Sequence, residues 1–152
     1  MEGRNKQTPT RSVKQKGLRK GKDKTQGKEK LKIGSWNMAI AATQPHAANV
    51  NLTSQILEDE SLDVLGICEC NIFPSTHLER LKIKGYSLEI GEGVNRPTDG
   101  NARVAMYISE NVQYTRRRDL EERSSMPQVW VEMNLPGTRK LVLGTVYRQF
   151  KE

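Results

Sequence analysis

Cysteine, histidine and long apolar runs are scarce in this chain of 152 residues, which contains two cysteines and two histidines. No stretch of about 18 apolar residues occurs, so the sequence predicts no membrane-spanning helix. No apolar segment follows the first positive charges, and we therefore expect no secretory signal. Cys68 and Cys70 are two residues apart in a predicted strand, so both should face one side with Cα atoms about 6.5–7 Å apart. That spacing disfavours a disulfide and predicts an intracellular protein, nuclear or cytoplasmic.

The net charge of +7 is concentrated at one end of the chain. Residues 1–30 carry 11 basic and 3 acidic side chains, whereas the other 122 residues carry 14 basic and 15 acidic ones. The first segment has two sizeable aliphatic side chains and cannot bury enough apolar surface to offset its ordering entropy. We expect residues 1–30 to form a disordered basic tail that binds nucleic acid, or that is only solvated, and residues 31–152 to fold.

Alternating and periodic apolar residues predict a mixed α/β domain after the tail. A first strand over residues 31–38 is followed by a loop and by a helix that begins near Asn49 or Asn51 and buries Leu52, Ile56 and Leu57. Residues 63–69 are apolar on both faces, which is typical of a strand covered on both sides. A short helical stretch is predicted near residues 76–82. Further strands are predicted at 86–90, 102–109, 112–117, 128–135 and 140–148, of which the last two should form a hairpin across Pro136 and Gly137.

Polar residues stand at the exits of the first two strands. Asn37 ends the first strand, and Glu69 ends the second, with one predicted helix between them. In α/β folds, ligand sites form at the carboxyl ends of neighbouring strands. A carboxylate placed there suits Mg²⁺, which takes one or two carboxylates and leaves its other positions to water and substrate. Taken alone, each residue is more often a solvent-facing strand end than a ligand.

These two strand ends resemble motifs of the endonuclease/exonuclease/phosphatase family, the deoxyribonuclease I-like hydrolases. Ser-Trp-Asn, ending at Asn37, is similar to the family's first motif, and Asp-Val-Leu-Gly-Ile-Cys-Glu, ending at Glu69, to its second. The likeness is greatest to the endonuclease domain of LINE-type, non-LTR retrotransposons. It implies that Glu69 binds the catalytic Mg²⁺, with Mn²⁺ as an alternative, and that Asn37 positions metal or phosphate. Cys70 stands where the family often has threonine.

A third resemblance lies near the end of the chain. Leu-Val-Leu-Gly-Thr-Val-Tyr-Arg is similar to the family's middle strand, which directs a tyrosine at the active site. This similarity implies that Tyr147 hydrogen-bonds the scissile phosphate and that Arg148 binds phosphate beside it. Residues 102–108 resemble the family's Gly-Val-Ala-Ile strand, with Arg103 where glycine is usual. In all, the resemblance covers about residues 31–149.

Several other candidate sites are weaker. The two cysteines with His46 and His77 match no structural zinc spacing. Neither histidine has a neighbouring sequence that marks a catalytic base. Residues 116–118, three consecutive arginines, suggest contact with a DNA backbone, but the acidic residues after them favour a solvated loop.

The resemblance implies the N-terminal half of a two-sheet α/β sandwich, a mixed sheet with outer helices. The family's Asp-x-Asn and Ser-Asp-His motifs have no match here, so we expect little catalysis from this chain alone. The first half should supply roughly one sheet, whose uncovered face favours instability, aggregation, a homodimer or pairing with a missing C-terminal half. DNA is the substrate that the resemblance implies. The alternatives are a non-catalytic nucleic-acid-binding module that acts through the tail and, less favoured, a phosphatase or sugar-nucleotide hydrolase relative.

Overall fold

The computed structural model describes residues 30–39, 46–91, 102–137 and 139–148. The predicted tail, apart from Lys30, and most of the predicted loop at residues 91–101 lie outside these ranges. Two sheets and two α-helices account for most of the described residues. Among the described residues, no helix is long and apolar enough to cross a membrane.

The first sheet has four strands in the order β1-β2-β4-β3. β1 and β2 are parallel, and helix α1 connects them, as the sequence predicts. β4 pairs antiparallel with both β2 and β3. The elements are β1 (Ile33–Asn37), α1 (Val50–Asp59), β2 (Val64–Ile72), β3 (Tyr86–Ile90) and β4 (Ala102–Ser109). Short 3-10 segments span His46–Asn49 and Leu78–Leu81.

The second sheet has three antiparallel strands in the order β5-β6-β7. These strands are β5 (Tyr114–Arg116), β6 (Gln128–Met133) and β7 (Leu141–Val146), and a short helix α2 (Arg118–Glu121) joins the first two. The predicted hairpin of the last two strands is confirmed, with Gly137 at a positive φ of 70° in its turn. The prediction that the folded part of this chain supplies roughly one sheet is wrong, because β5, β6 and β7 form a second sheet that covers the first.

Two apolar clusters lie on opposite faces of the four-stranded sheet. The helix-side cluster packs α1 and the second 3-10 segment against the sheet, and the inter-sheet cluster fills the space between the sheets. Strand β2 contributes to both clusters, so the prediction that it is covered on both faces is confirmed. The largest helix-side residues are Leu57, Leu65, Ile67, Leu81 and Tyr107; the inter-sheet residues include Val64, Met106, Ile108, Val129 and Met133.

Helix α1 begins and ends where the sequence predicts, but its buried face is different. Leu57 is fully buried and Ile56 is half-buried, whereas Leu52 is 46% exposed. Thr53 takes the buried position one turn before Leu57, and its hydroxyl donates a 2.9 Å hydrogen bond to the Asn49 carbonyl. Burial of Thr53 is tolerated because this bond satisfies its hydroxyl.

The two sheets leave strand edges free on the same flank. β6 lies over β4 and β7 lies over β2, while β1 lies beyond β2 at the edge of the first sheet. Among the described strands, β1 and β7 each have one unpaired edge on this flank. Ile33 on β1 and Val142 and Val146 on β7 are between 37% and 45% exposed there. Unpaired edges with apolar side chains favour pairing with further strands.

Candidate nuclease site

The carboxyl ends of β1 and β2 bring Asn37 and Glu69 into contact. The strands are parallel with Asn37 opposite Cys68, so Glu69 lies just past the end of β1. The Asn37 Nδ2 group donates a hydrogen bond of 3.0 Å to Glu69 Oε1. Asn37 Oδ1 accepts a 2.9 Å bond from the backbone N–H of Ala39, which fixes the orientation of the amide. Two residues singled out in the sequence are therefore direct neighbours at a sheet edge.

Glu69 adopts a left-handed backbone conformation, with a φ of 54°, within β2. The pairing of β2 with β4 shifts in register between Cys68 and Ile72, so Glu69 lies in a bulge. Bulges re-aim a side chain and leave the extra residue outside the ladder. A residue other than glycine in this conformation costs about 1–2 kcal/mol, and such residues cluster at functional sites. Here the bulge turns the carboxylate toward the end of β1.

The same bulge overturns the prediction that Cys68 and Cys70 face one side. The left-handed residue Glu69 between them interrupts the strand alternation, so Cys70 is buried in the helix-side cluster while Cys68 packs against the inter-sheet cluster. Both cysteines are free thiols. Burial raises the pKa of the Cys68 thiol, and the adjacent Glu69 carboxylate raises it further. Cys68 therefore stays neutral, and its Sγ donates to the Val146 carbonyl at 3.8 Å.

One oxygen of the Glu69 carboxylate is available to a ligand. Oε1 is bonded to Asn37, and Oε2 has no hydrogen bond to any described residue. Within the described ranges, no group of three or more His, Cys, Asp and Glu side chains could hold a metal ion. Mg²⁺ needs fewer protein ligands, because it binds through one or two carboxylates and keeps water and substrate oxygens. A single carboxylate with one oxygen left for a ligand therefore fits Mg²⁺ and does not fit a structural zinc site.

Tyr147 and Arg148 directly follow β7, whose end lies beside the β2 bulge. The contact between Cys68 and the Val146 carbonyl fixes this position. Tyr147 is half-buried against the inter-sheet cluster, and its backbone N–H donates a 3.0 Å bond to the Pro127 carbonyl. Arg148 is exposed. The residues expected to bind phosphate thus lie at the same end of the sandwich as the Asn37–Glu69 pair.

Two further polar residues at this end were missed from the sequence. Arg103 on β4 donates from Nη1 to Asn71 Oδ1 at 2.6 Å, and its guanidinium carbon lies 5.2 Å from the centre of the Tyr147 ring. Asn71 is buried and lies in the bulged part of β2, two residues after Glu69. The signal available in the sequence was Arg103 itself, a charged residue in a strand that is otherwise apolar.

Neither histidine belongs to this group of residues. His46 is fully buried, and its Nε2 lies 3.1 Å from the hydroxyl of Tyr107. That hydroxyl donates to the Leu81 carbonyl at 2.8 Å, so it accepts from the Nε2–H of His46. Burial lowers the pKa of His46 to about 4, and the ring is neutral at pH 7. His77 is exposed where the second 3-10 segment begins.

Two of the three consecutive arginines, Arg116 at the end of β5 and Arg117 after it, are neutralised within the protein. Arg116 binds Glu89 Oε2 at 2.9 Å and both oxygens of Glu121 at 3.0 Å, and its side chain is 12% exposed. Arg117 pairs with Asp119 at 2.7 Å and with Glu132 at 2.8 Å. These contacts disfavour binding of a DNA backbone by Arg116 and Arg117, and Arg116 is not in a solvated loop. Instead, Arg116 ties β5 to β3 across the two sheets.

A surface groove of about 740 Å³ lies elsewhere, between the second 3-10 segment and the edge strand β3. Its lining includes Leu78, Ile83 and Leu88, with Lys82 and Glu110 at polar positions. None of the four predicted site residues lines it. The candidate site at the strand ends is therefore distinct from this apolar groove.

This architecture, a four-stranded mixed sheet packed on an antiparallel sheet with outer helices, is a deoxyribonuclease I-like α/β sandwich, and the resemblance stated from the sequence is confirmed at the level of fold. Among solved structures, the chain is similar to the endonuclease domain of TRAS1, a telomere-specific non-LTR retrotransposon, with a TM-score of 0.52 and 12% sequence identity. The match covers 76% of this chain and 44% of that one, so the chain spans less than half of that domain's length. No protein-family profile and no curated protein matches the sequence.

Proposed function

We propose that this chain carries the metal- and phosphate-positioning part of a Mg²⁺-dependent endonuclease of the LINE retrotransposon type, which hydrolyses phosphodiester bonds in DNA. The observation that supports it is the Asn37–Glu69 pair, joined at 3.0 Å at the ends of parallel strands, with Glu69 Oε2 left available. The similarity to a retrotransposon endonuclease domain supplies the context for that pair.

In this proposal Glu69 would hold the divalent cation through Oε2, and Mn²⁺ would substitute for Mg²⁺. When bound, the cation supplies charge neutralisation on the phosphate oxygens and stabilises the leaving alkoxide. Asn37 keeps the carboxylate in one orientation without adding charge, because its amide is itself fixed by the Ala39 N–H. A preset carboxylate needs no reorganisation when the ligand arrives, which is the basis of electrostatic preorganisation.

Tyr147 and Arg148 would contact the phosphate of the DNA substrate. The Tyr147 hydroxyl is suited to donate to a non-bridging oxygen, and the Arg148 guanidinium to bind a phosphate with two parallel hydrogen bonds. Both residues follow β7 directly, so the rigid sandwich positions them relative to the β2 bulge. We assign them to phosphate binding and not to proton transfer.

We also propose that the chain alone is nearly inactive. Hydrolysis needs a group that activates water, and His46 is buried against Tyr107 while His77 is exposed on a different element. A further polypeptide segment would complete the site. The free edges of β1 and β7, with Ile33, Val142 and Val146 exposed, provide the flank where it would pair.

The proposal is tested by divalent-metal binding and plasmid nicking with the full chain. We expect Mn²⁺ to bind one site, detected by electron paramagnetic resonance, and Glu69→Gln to weaken binding at least tenfold. Glu110→Gln, at an exposed turn residue, is the matched control and should leave binding unchanged. Equal Mn²⁺ affinity in the Glu69→Gln variant and the unmodified chain would refute the metal site.

Nicking of supercoiled plasmid with Mg²⁺ tests the second part of the proposal. We expect little or no nicking by the chain alone. Nicking that disappears in Glu69→Gln would support the endonuclease assignment but would show that the chain, or a dimer of it, already completes the site. Size-exclusion chromatography coupled to light scattering on the same samples separates a dimer from a monomer.

The alternative function is a non-catalytic nucleic-acid-binding module. The charge distribution favours it, because residues 1–30 hold 11 basic side chains while the rest of the chain is nearly neutral. In that case, replacement of the tail lysines and arginines by glutamine should abolish DNA binding, and Glu69→Gln should have no effect on any property except metal binding.

A further inference from the structure

Arg103 is held by two neutral partners at the candidate site. Its Nη1 donates to the side-chain oxygen of Asn71 at 2.6 Å, and its guanidinium lies over the Tyr147 ring at 5.2 Å. The side chain thereby bridges the bulged end of β2 and the residue that follows β7. Its orientation is fixed by one hydrogen bond and by a cation–π contact.

The positive charge of Arg103 has no acidic partner among the described residues. Arg116 provides the comparison within the same protein, because its guanidinium binds two carboxylates and a backbone carbonyl. Arg103 is half-buried as well, yet among the described residues only one of its five N–H donors has a partner. A partly desolvated cation with unused donors is stabilised by an anion.

The contacts of Arg103 place it where a phosphate would lie. Asn71 follows Glu69 by two residues along the same bulge, and Tyr147 is one of the residues to which we assign phosphate binding. The guanidinium carries its N–H groups in its own plane, and one of them is bonded to Asn71, so a phosphate oxygen that approaches in this plane accepts from the others. In the strand that resembles the nuclease family, glycine is usual at this position, so Arg103 adds a cation that the resemblance does not supply.

We propose that Arg103 is a phosphate-binding residue, which uses its free N–H groups to hold a backbone phosphate of the DNA next to Tyr147. This inference rests on the proposed function, since it names a further contact of the same site with the same substrate. Asn71 and Tyr147 act as positioning residues, because their contacts hold the guanidinium in one orientation toward the bound phosphate. Arg103 would therefore contribute to DNA affinity even when no divalent metal is present.

The test is DNA binding by the full chain in a metal-free buffer with EDTA, measured by the anisotropy of a fluorescein-labelled duplex over a series of salt concentrations. We expect Arg103→Gln to weaken binding about tenfold, as for a charged hydrogen bond of about 1.4 kcal/mol. The slope of log K against log salt should fall by about one, because one phosphate contact is lost. Arg80→Gln, the same change at an exposed arginine of the second 3-10 segment, should alter neither quantity beyond a twofold change in affinity.

Arg103→Lys keeps the test decisive if the glutamine variant folds poorly. Lysine preserves the charge but neither the paired donors nor the planar group over Tyr147, so we expect the salt slope to be retained and the affinity to fall several-fold. Circular dichroism and thermal melts establish that the variants are folded. Unchanged affinity and salt slope in a folded Arg103→Gln or Arg103→Lys protein would overturn the inference.

The outcome is separable from that of the proposed nuclease function. Loss of DNA binding in the Arg103 variants, together with Mn²⁺ binding that does not depend on Glu69, would support the phosphate contact and refute the metal site. Glu69-dependent Mn²⁺ binding, together with unchanged DNA binding in the Arg103 variants, would support the metal site and refute the phosphate contact.

Discussion

The amide of Asn37 and the carboxylate of Glu69 are joined by a 3.0 Å hydrogen bond across the ends of two parallel strands. This bond is made possible by the left-handed backbone of Glu69, which takes its side chain out of the regular alternation of β2. The candidate site is thus created by a local departure from strand geometry.

Glycine should be better tolerated than alanine at position 69. The φ of 54° strains any residue with a Cβ atom, and glycine relieves that strain. We expect Glu69→Gly to be about 1 kcal/mol more stable than Glu69→Ala in urea denaturation, while both lose metal binding. Ser61, which has a φ of 50° away from the site, should show the same order; Glu58, inside α1, should show the opposite order. Equal stability of the two Glu69 variants would mean that no strain is stored there.

Gly66→Ala should destabilise the packing of the two sheets. A Cβ atom at Gly66 would lie well inside contact distance of Thr145 Oγ1 on β7, and both residues are buried where β2 and β7 cross. We expect a loss of about 1–3 kcal/mol in the free energy of unfolding, as for other overpacked sites. The double variant Gly66→Ala, Thr145→Ala should recover part of this loss in chemical denaturation. A single variant that is as stable as the unmodified chain would show that β7 does not pack against Gly66.

Protonation of His46 should destabilise the fold in mild acid. Its pKa in the folded chain is about 4, below the unfolded value of about 6.5, so the unfolded state binds more protons between these values. The stabilisation present above pH 6.5 is therefore lost as the pH falls toward 4, by about 2 kcal/mol between pH 7 and pH 5.

His46→Gln provides the comparison, because glutamine donates to Tyr107 and does not titrate. The variant should lose the part of the pH dependence between 7 and 5 that His46 contributes, whereas His77→Gln, at an exposed position, should retain it. Urea denaturation at each pH gives the free energies. The same pH dependence in His46→Gln as in the unmodified chain would contradict the assignment.

Arg116→Met should strongly destabilise the fold. It leaves the Glu89 and Glu121 carboxylates without their cation, and these side chains are only 21% and 6% exposed. We expect a loss of about 3 kcal/mol, since breaking a buried ion pair strands the remaining charges. Lys82→Met, which breaks an exposed pair with Glu79, should change stability by less than about 0.5 kcal/mol. Similar losses in the two variants would indicate that the Arg116 network is solvent-screened.

Much of the first sheet and the hairpin of the second sheet follow from the sequence, because their signals are local. The alternation of residues 31–38 and the two-faced apolar run of β2 predict the parallel pair, and the hairpin of β6 and β7 follows from Pro136 and Gly137 at the turn. The strand-end positions of Asn37 and Glu69 then predict that they meet. Their catalytic roles remain predictions.

Other features depend on contacts that residue types alone do not reveal. Glutamate has no preference for a left-handed backbone, so the bulge at Glu69 and the divergence of the two cysteines are invisible in the sequence. The pairing of Arg103 with Asn71 arises from the register of β2 with β4. Burial of Thr53 in place of Leu52 depends on a hydrogen bond inside the helix. The division into two sheets was missed because the strands at 114–116, 128–133 and 141–146 were predicted individually, whereas their pairing as a separate sheet depends on contacts between strands.

The two apolar clusters draw on different stretches of the chain, and this sets an order of assembly. The buried residues of the helix-side cluster lie between positions 57 and 107, whereas the inter-sheet cluster needs Val129, Val131 and Met133 from β6. The residues of the first cluster are therefore synthesised before those of β6. A chain that lacked everything after β4 would expose the inter-sheet face of its four-stranded sheet, because the strands that cover this apolar face would be absent.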